Sequence, residues 1–281
     1  MSMWFYVVLL AVTQGVAEFL PISSSGHLAL LGAWFGVDTE RSLSLGILLH
    51  AGSLTAIVLF YFRTLLSFLK PDRWRLACMV VIGTIPAGIG GVALKATGWD
   101  ERMFGDLMAI GVAFLITATL LRLSEKPKLI LRSGQERGTP PTELEAITLR
   151  QAAVIGTAQM FAILPGISRS GSTIAAGILT GVGREAAGTF SFLLAIPAIG
   201  GAAFLELLSM WKKGGAAADP GALDATQAVV GFFISAAVSY AALAWLIRLI
   251  RKGRLAWFSW YLYTLGTAVV LWQIAVMVRH G

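Results

Sequence analysis

Residues 159–185 read "QMFAILPGISRSGSTIAAGILTGVGRE", and at an offset of 145 positions they lie without gaps over 14–40, "QGVAEFLPISSSGHLALLGAWFGVDTE". Gln14 meets Gln159, Ile22 meets Ile167, Ser23 meets Ser168, Ser25 meets Ser170 and Gly26 meets Gly171. Further on, Gly32, Gly36, Val37 and Glu40 meet Gly177, Gly181, Val182 and Glu185. The identities concentrate in one polar, glycine-rich patch per half, whereas convergent apolar composition would scatter them among leucines and valines. The chain therefore reads as a duplication, with repeat 1 over about 4–123 and repeat 2 over about 149–278.

In each half the patch separates two apolar pieces that are awkward as full spans: 4–20 and 27–36, then 152–164 and 172–181. The second piece of each pair is about ten residues, roughly 15 Å as a helix and half the thickness of a bilayer's hydrocarbon core. Each pair is expected to be a re-entrant helical hairpin. Three long apolar runs follow in each half, over 45–69, 74–94 and 104–123, then 188–211, 225–250 and 257–278. Three is odd, so the second half is expected to be inverted relative to the first. Short, interrupted segments at matching places in two inverted halves point to a site near the midplane. The fold class is then an all-α integral membrane protein of two inverted-topology repeats, each a re-entrant hairpin plus three transmembrane helices.

Composition agrees. Of 281 residues, 57% are hydrophobic and 13% charged, and the mean hydropathy is positive, which excludes an ordinary soluble domain. No long polar segment divides the chain, so 1–281 reads as one polytopic domain; the longest polar stretch, 124–147, is basic and proline-containing and reads as a surface loop. The opening "MSMWFYVVLLAV" lacks a basic n-region, and Gln14 and Glu18 follow where small residues would mark a cleavage site, so no cleaved signal peptide is expected. The single cysteine, Cys78, excludes an internal disulfide and a cysteine metal cluster. The net charge of +7 could suggest nucleic acid, but the basic residues cluster in connectors, as at a membrane surface. Fifteen of them, among them Arg73, Arg75, Arg122, Arg184, Arg251 and Arg254, fall on one side against six on the other, with Arg169 uncounted. That asymmetry places the first side in the cytoplasm and both termini outside. The tryptophans, including Trp4, Trp74, Trp99, Trp211 and Trp257, lie mostly near span ends and read as an interfacial belt.

Glu18 and Arg169 need a reason to be in this setting, because a charge near the centre of a spanning helix costs roughly 2.5–3.5 kcal/mol. One reading is that they pair as structural glue. That reading leaves the surrounding hydroxyls and glycines unexplained. Residues 24–26 and 170–172 each open a short helix, whose N-terminal amides and dipole favour an anion. Two such ends, with Ser25 and Gly26 in one half and Ser170 and Gly171 in the other, plus a guanidinium make a phosphate cradle. Gln14 and Glu18 are four apart, hence on one helical face, and His27 follows the serine run. A carboxylate, an imidazole and the Ser24 hydroxyl converging on a phosphate suggest hydrolysis, with a divalent cation bridging Glu18 and phosphate oxygens. Glu40 and Glu185 read as helix-start or loop-pairing residues, His50 as packing in preference to lining the cavity, and Pro86 and Pro197 as kinks in their spans.

The motifs "QGVAEFLPISSSGHL" and "PGISRSGST" resemble the two signatures of the bacterial undecaprenyl pyrophosphate phosphatases of the bacitracin-resistance type, and the resemblance covers essentially the whole chain. It implies dephosphorylation of the C55 lipid pyrophosphate to the monophosphate carrier of cell-wall synthesis, in the bacterial inner membrane, with a site opening toward the periplasm. It assigns catalytic roles to Glu18, Ser24, His27 and Arg169, with Ser168, Ser170 and Thr173 around the arginine. Many members resemble Glu-x-x-x-Glu where this chain has Gln14 and Glu18, so a Mg²⁺ or Ca²⁺ ion would rest on Glu18, the Gln14 carbonyl, waters and substrate oxygens. A carrier or flippase of a phosphorylated polyprenyl lipid is the alternative, since inverted repeats with broken helices are also a transporter architecture. The attacking group, Ser24, His27 or water, stays open.

Overall fold

A computed structural model describes residues 3–36, 39–97, 105–126, 141–212 and 224–280, with the backbone course alone for 39–44, 95, 206, 209–212 and 280. Eleven α-helices run along the described chain: α1 (Met3–Phe19), α2 (Ser24–Phe35), α3 (Thr39–Phe60), α4 (Phe62–Ser67), α5 (Trp74–Thr97), α6 (Leu107–Ser124), α7 (Leu149–Phe161), α8 (Arg169–Leu179), α9 (Arg184–Lys212), α10 (Ala225–Arg251) and α11 (Ala256–His280). Five stretches are long and apolar enough to cross a membrane: Pro71–Leu94, Leu107–Ser124, Arg184–Leu205, Ala225–Arg251 and Ala256–Arg279. The protein is an all-α integral membrane protein. These stretches match five of the six long runs expected from the sequence.

The sixth, expected over 45–69, comes out differently. Its helix starts at Thr39, ends at Phe60 and resumes as α4 after a break at Tyr61. The backbone ladder passes through this break, because Tyr61 N–H donates to the Ile57 carbonyl (3.0 Å) and the Tyr61 carbonyl accepts from Leu65 (2.9 Å). Pro86 and Pro197 lie inside continuous helices, α5 and α9. Of the polar connector expected over 124–147, residues 127–140 lie outside the described residues.

Both short helices begin earlier than their apolar runs suggest, since the patch serines act as caps. Ser23 Oγ accepts from Gly26 N–H (3.3 Å) and Ser168 Oγ from Gly171 N–H (3.1 Å), drawing the polar residues into the first turns of α2 and α8. The 12 residues of α2 and 11 of α8 remain too short to span. The entry to α7 is fixed by a capping box in which Thr148 Oγ1 accepts from Gln151 N–H while the Gln151 side chain accepts from Thr148 N–H.

Helix pairing repeats between the halves. Helix α1 packs on α2 and α10, as α7 packs on α8 and α5; α3 packs on α10 as α9 packs on α5; and α3–α9 and α6–α11 contacts join the halves. With no hydrophobic drive between helices in lipid, close backbone approach holds such pairs. At the α5–α7 crossing a Cβ added to Gly156 would lie 2.3 Å from the Gly83 carbonyl oxygen, and at α6–α11 one added to Gly266 would lie 2.9 Å from that of Gly111. Gly156→Ala must push α5 and α7 apart, a loss of about 1–3 kcal/mol or more. Thermal unfolding in detergent should show a lower midpoint than the parent protein; an unchanged midpoint would mean that the two helices separate freely.

Apolar side chains also face outward. Val81, Ile85, Ile89 and Val92 form an exposed stripe along α5 that a soluble protein would present as an aggregation patch. Here it meets hydrocarbon. At the basic end of the bundle, Arg73 pairs with Glu145, Arg75 donates to the Ile147 carbonyl (2.8 Å), and Arg184 pairs with Glu125 (3.0 Å), whose same oxygen takes Leu255 N–H (3.2 Å). The Arg73 guanidinium beside Glu145 holds its carboxyl below the usual carboxylate range. Glu185 fills both expected roles, standing in the first turn of α9 and pairing with Arg251; the side chain of Glu40 lies outside the described residues. Arg254 and Arg122 lie over the rings of Trp257 (4.8 Å) and Trp260 (5.1 Å).

Candidate functional site

The two polar turns meet inside the bundle. A Cβ added to Gly26 would lie 3.0 Å from the Gly166 Cα and 2.6 Å from the Phe114 ring on α6, so only glycine lets the first turn settle there. Gly166 itself has φ +89° and rests against the Ile110 backbone of α6, which demands glycine twice over. Helix α6 grips the second turn further through Thr117, whose Oγ1 accepts from Ser168 N–H (3.1 Å). Ser170 Oγ donates across the contact to the Leu20 carbonyl (3.2 Å).

Glu18 stands at the centre of this contact and is buried. Its Oε1 accepts from Arg169 Nη2 (2.8 Å), and its Oε2 accepts from Ser24 Oγ (2.7 Å) and Gln14 Nε2 (3.1 Å). The Gln14 bond arises as the four-residue spacing on α1 requires. Arg169 and Glu18 thus form the ion pair that a purely structural reading predicts, yet the pair leaves donors and acceptors over. Arg169 Nη1, Ser172 Oγ and Gln14 Oε1 are buried without a hydrogen-bond partner, an arrangement costly enough in a folded core to call for an explanation.

The patch serines follow one pattern in both halves: Ser23 and Ser25 hydroxyls lie 3.3 Å apart, and Ser168 and Ser170 hydroxyls 3.2 Å apart. Thr173 is buried, and its hydroxyl is committed to the Arg169 carbonyl (2.8 Å) and to Ser191 on α9. His27 sits beside the Glu18 cluster without bonding to it. Its Nδ1 lies 2.7 Å from the Ser23 carbonyl and its Nε2 2.7 Å from the Tyr261 hydroxyl of α11.

His50, read as packing in preference to lining the cavity, has Nε2 3.7 Å from Glu18 Oε2, with Nδ1 2.8 Å from the Gly46 carbonyl; a lone histidine in an apolar run was its only signal. The structure also adds residues that the sequence did not bring forward. Tyr261 carried none beyond an aromatic cluster at the start of a span, and Phe114 and Thr117 none beyond their place in one.

A buried arginine–carboxylate pair with serine and histidine, where two polar turns meet among long apolar helices, defines a polytopic membrane protein with a buried polar site. The family model described as bacitracin resistance protein BacA matches residues 7–268. The undecaprenyl-diphosphatase of Carboxydothermus hydrogenoformans is 38% identical over 271 residues, covering 96% of this chain and 98% of that one. That of Rhodopirellula baltica is 41% identical over 266 residues (94% and 96%), and that of Bacteroides thetaiotaomicron 36% over 279 (96% and 99%). The chain belongs to the BacA family.

Proposed function

We infer that this protein is an undecaprenyl-diphosphatase: it hydrolyses undecaprenyl pyrophosphate to undecaprenyl phosphate and inorganic phosphate, recycling the carrier for peptidoglycan synthesis and conferring bacitracin resistance. The carrying observation is the half-used guanidinium of Arg169, with Nη2 on Glu18 and Nη1 buried and unpartnered. A planar donor fork with a free arm is suited to a phosphate oxygen. Ser172 Oγ, unpartnered on the same helix three residues on, adds a further donor.

Ser24 is the hydroxyl placed for activation, since its proton points at Glu18 Oε2 from 2.7 Å, the contact of a nucleophile with its base. Attack of Ser24 Oγ on the terminal phosphorus forms a P–O bond and breaks the bridging P–O bond. Undecaprenyl phosphate leaves, and the serine proton passes to Glu18. Water then attacks the same phosphorus, giving its proton to His27, while the P–Oγ bond breaks and Glu18 returns its proton to Ser24 Oγ, releasing inorganic phosphate. Ser23, Ser25, Gly26, Ser168, Ser170 and Gly171 shape the cradle, and Thr173 braces the Arg169 backbone.

Gln14 Oε1, a buried orphan beside Glu18, is the oxygen that a hard cation would take. Glu18 and Gln14 are hard donors suited to Mg²⁺ or Ca²⁺, and among the described residues no group of three His, Cys, Asp or Glu forms a closed metal site. Held by Glu18 and Gln14, such a cation would supply neutralisation of pyrophosphate charge. The two halves lie inverted in the inner membrane, with both termini and the mouth of the site on the periplasmic face. The matched helix pairs, the matched caps and the gathering of Arg73, Arg75, Arg184 and Arg251 at one end support this topology.

Purified protein given undecaprenyl pyrophosphate in detergent should release phosphate, and EDTA should suppress the release. Micelles offer no membrane to cross, so binding without release would overturn the phosphatase reading in favour of a lipid carrier.

A further inference from the structure

The backbone at Ser23 explains how the site histidine is held. With φ 70° and ψ 99°, Ser23 is the one non-glycine residue of positive φ among those described, a conformation that persists only where its surroundings require it. The Ser23 carbonyl accepts from the His27 backbone N–H (3.3 Å) and faces Nδ1 (2.7 Å). A carbonyl oxygen can only accept, so Nδ1 carries a proton. In the neutral ring Nε2 then presents its lone pair, and the group that meets it is the Tyr261 hydroxyl, which donates.

Helix α11 is locked so that this contact is reproducible. Tyr263 and Thr119 hydroxyls lie 3.0 Å apart and Arg122 lies over Trp260, pinning the residues on either side of Tyr261 to α6. The imidazole lies between two rings, Phe114 at 5.3 Å and a nearly parallel Tyr261 at 5.7 Å. Packing alone needs the ring of Tyr261 and not its hydroxyl. Tyr261 is 45% exposed, so its hydroxyl has this one internal bond on an otherwise outward-facing side chain.

We propose that Tyr261 is a positioning residue for the phosphatase reaction. Its hydroxyl holds His27 with Nε2 as the working nitrogen, shields that lone pair from water, and gives way when the pyrophosphate arrives. The proposal rests on the phosphatase reading for its kinetic consequence but on the hydrogen bond alone for its structural one. Tyr261→Phe keeps the stacked ring and removes the donor; kcat should fall about 10- to 100-fold with KM within about twofold. Tyr261→Leu, which removes the ring too, should lose little more. In nitrogen-15 spectra of the micellar protein, the Nε2 resonance of His27 should move in Tyr261→Phe while Nδ1, bound to Ser23, stays. Wild-type kcat in the Phe variant, or an unmoved Nε2 resonance, overturns the proposal. Absence of phosphate release by the unsubstituted protein would sink the phosphatase reading instead, and the spectra would still decide whether Tyr261 holds His27.

Discussion

Arg169→Ala should lower phosphate release from undecaprenyl pyrophosphate by about 10³-fold or more, the scale lost when a guanidinium that stabilises transferring phosphoryl charge is removed. The same substitution strands Glu18, which is buried and ion-paired. Breaking a buried pair from one side destabilises by about 3–5 kcal/mol, so loss of activity by itself would not separate binding from folding. The double variant Arg169→Ala/Glu18→Gln isolates the folding part, because it leaves no buried charge at the contact, and it should unfold later than Arg169→Ala; since it also removes the proposed base, the activity is read from Arg169→Lys instead. Arg169→Lys keeps the charge but not the fork, and should retain the fold with most of the activity lost. Near-normal turnover in Arg169→Ala would show that no phosphate oxygen meets this guanidinium.

His27→Ala should reduce kcat by about 10²- to 10⁴-fold, the span attributed to a positioned acid or base, with little change in substrate affinity. The variant removes hydrogen bonds to Ser23 and Tyr261 but leaves the Glu18–Arg169 pair and both serine caps in place, so the protein should remain extractable and folded. Phosphate release measured beside equilibrium binding of the lipid tests both halves of this expectation. Turnover close to wild type would remove His27 from the mechanism, and loss of binding equal to the loss of rate would recast it as a substrate contact.

Much of this architecture is legible in the sequence, for reasons visible at particular residues. The letters shared by the two patches have a local reason, because Ser23 and Ser168 do the same capping work for Gly26 and Gly171. Repeated local chemistry leaves repeated letters. The Gln14–Glu18 contact follows from helical spacing, and the Glu18–Arg169 pairing from the expense of isolated charge in a bilayer. Tyr261, Phe114 and Thr117 were not legible. Each sits in a long span whose apolar and aromatic pattern already has a packing explanation, and what distinguishes them is the angle at which another helix presents them. The start of α7 shifted for a related reason: hydropathy marks where apolar residues begin, while Thr148 fixes where the backbone turns helical. The break at Tyr61 has no sequence signal, as no glycine or proline stands there.

The bond between Arg169 and Glu18 joins residues 151 positions apart. At synthesis rates of about 5–20 residues per second, that separation is roughly 8–30 s during which a ribosome has delivered the carboxylate to the membrane but not its cation. Over that interval the donors available to Glu18 are those already made, Gln14 four residues earlier and Ser24 six residues later. Gln14 and Ser24, with His50 3.7 Å away, are thus the Glu18 partners that the chain makes before Arg169. Variants that remove both should reveal themselves first in biogenesis, as a first half that inserts poorly, before any defect in turnover can be measured.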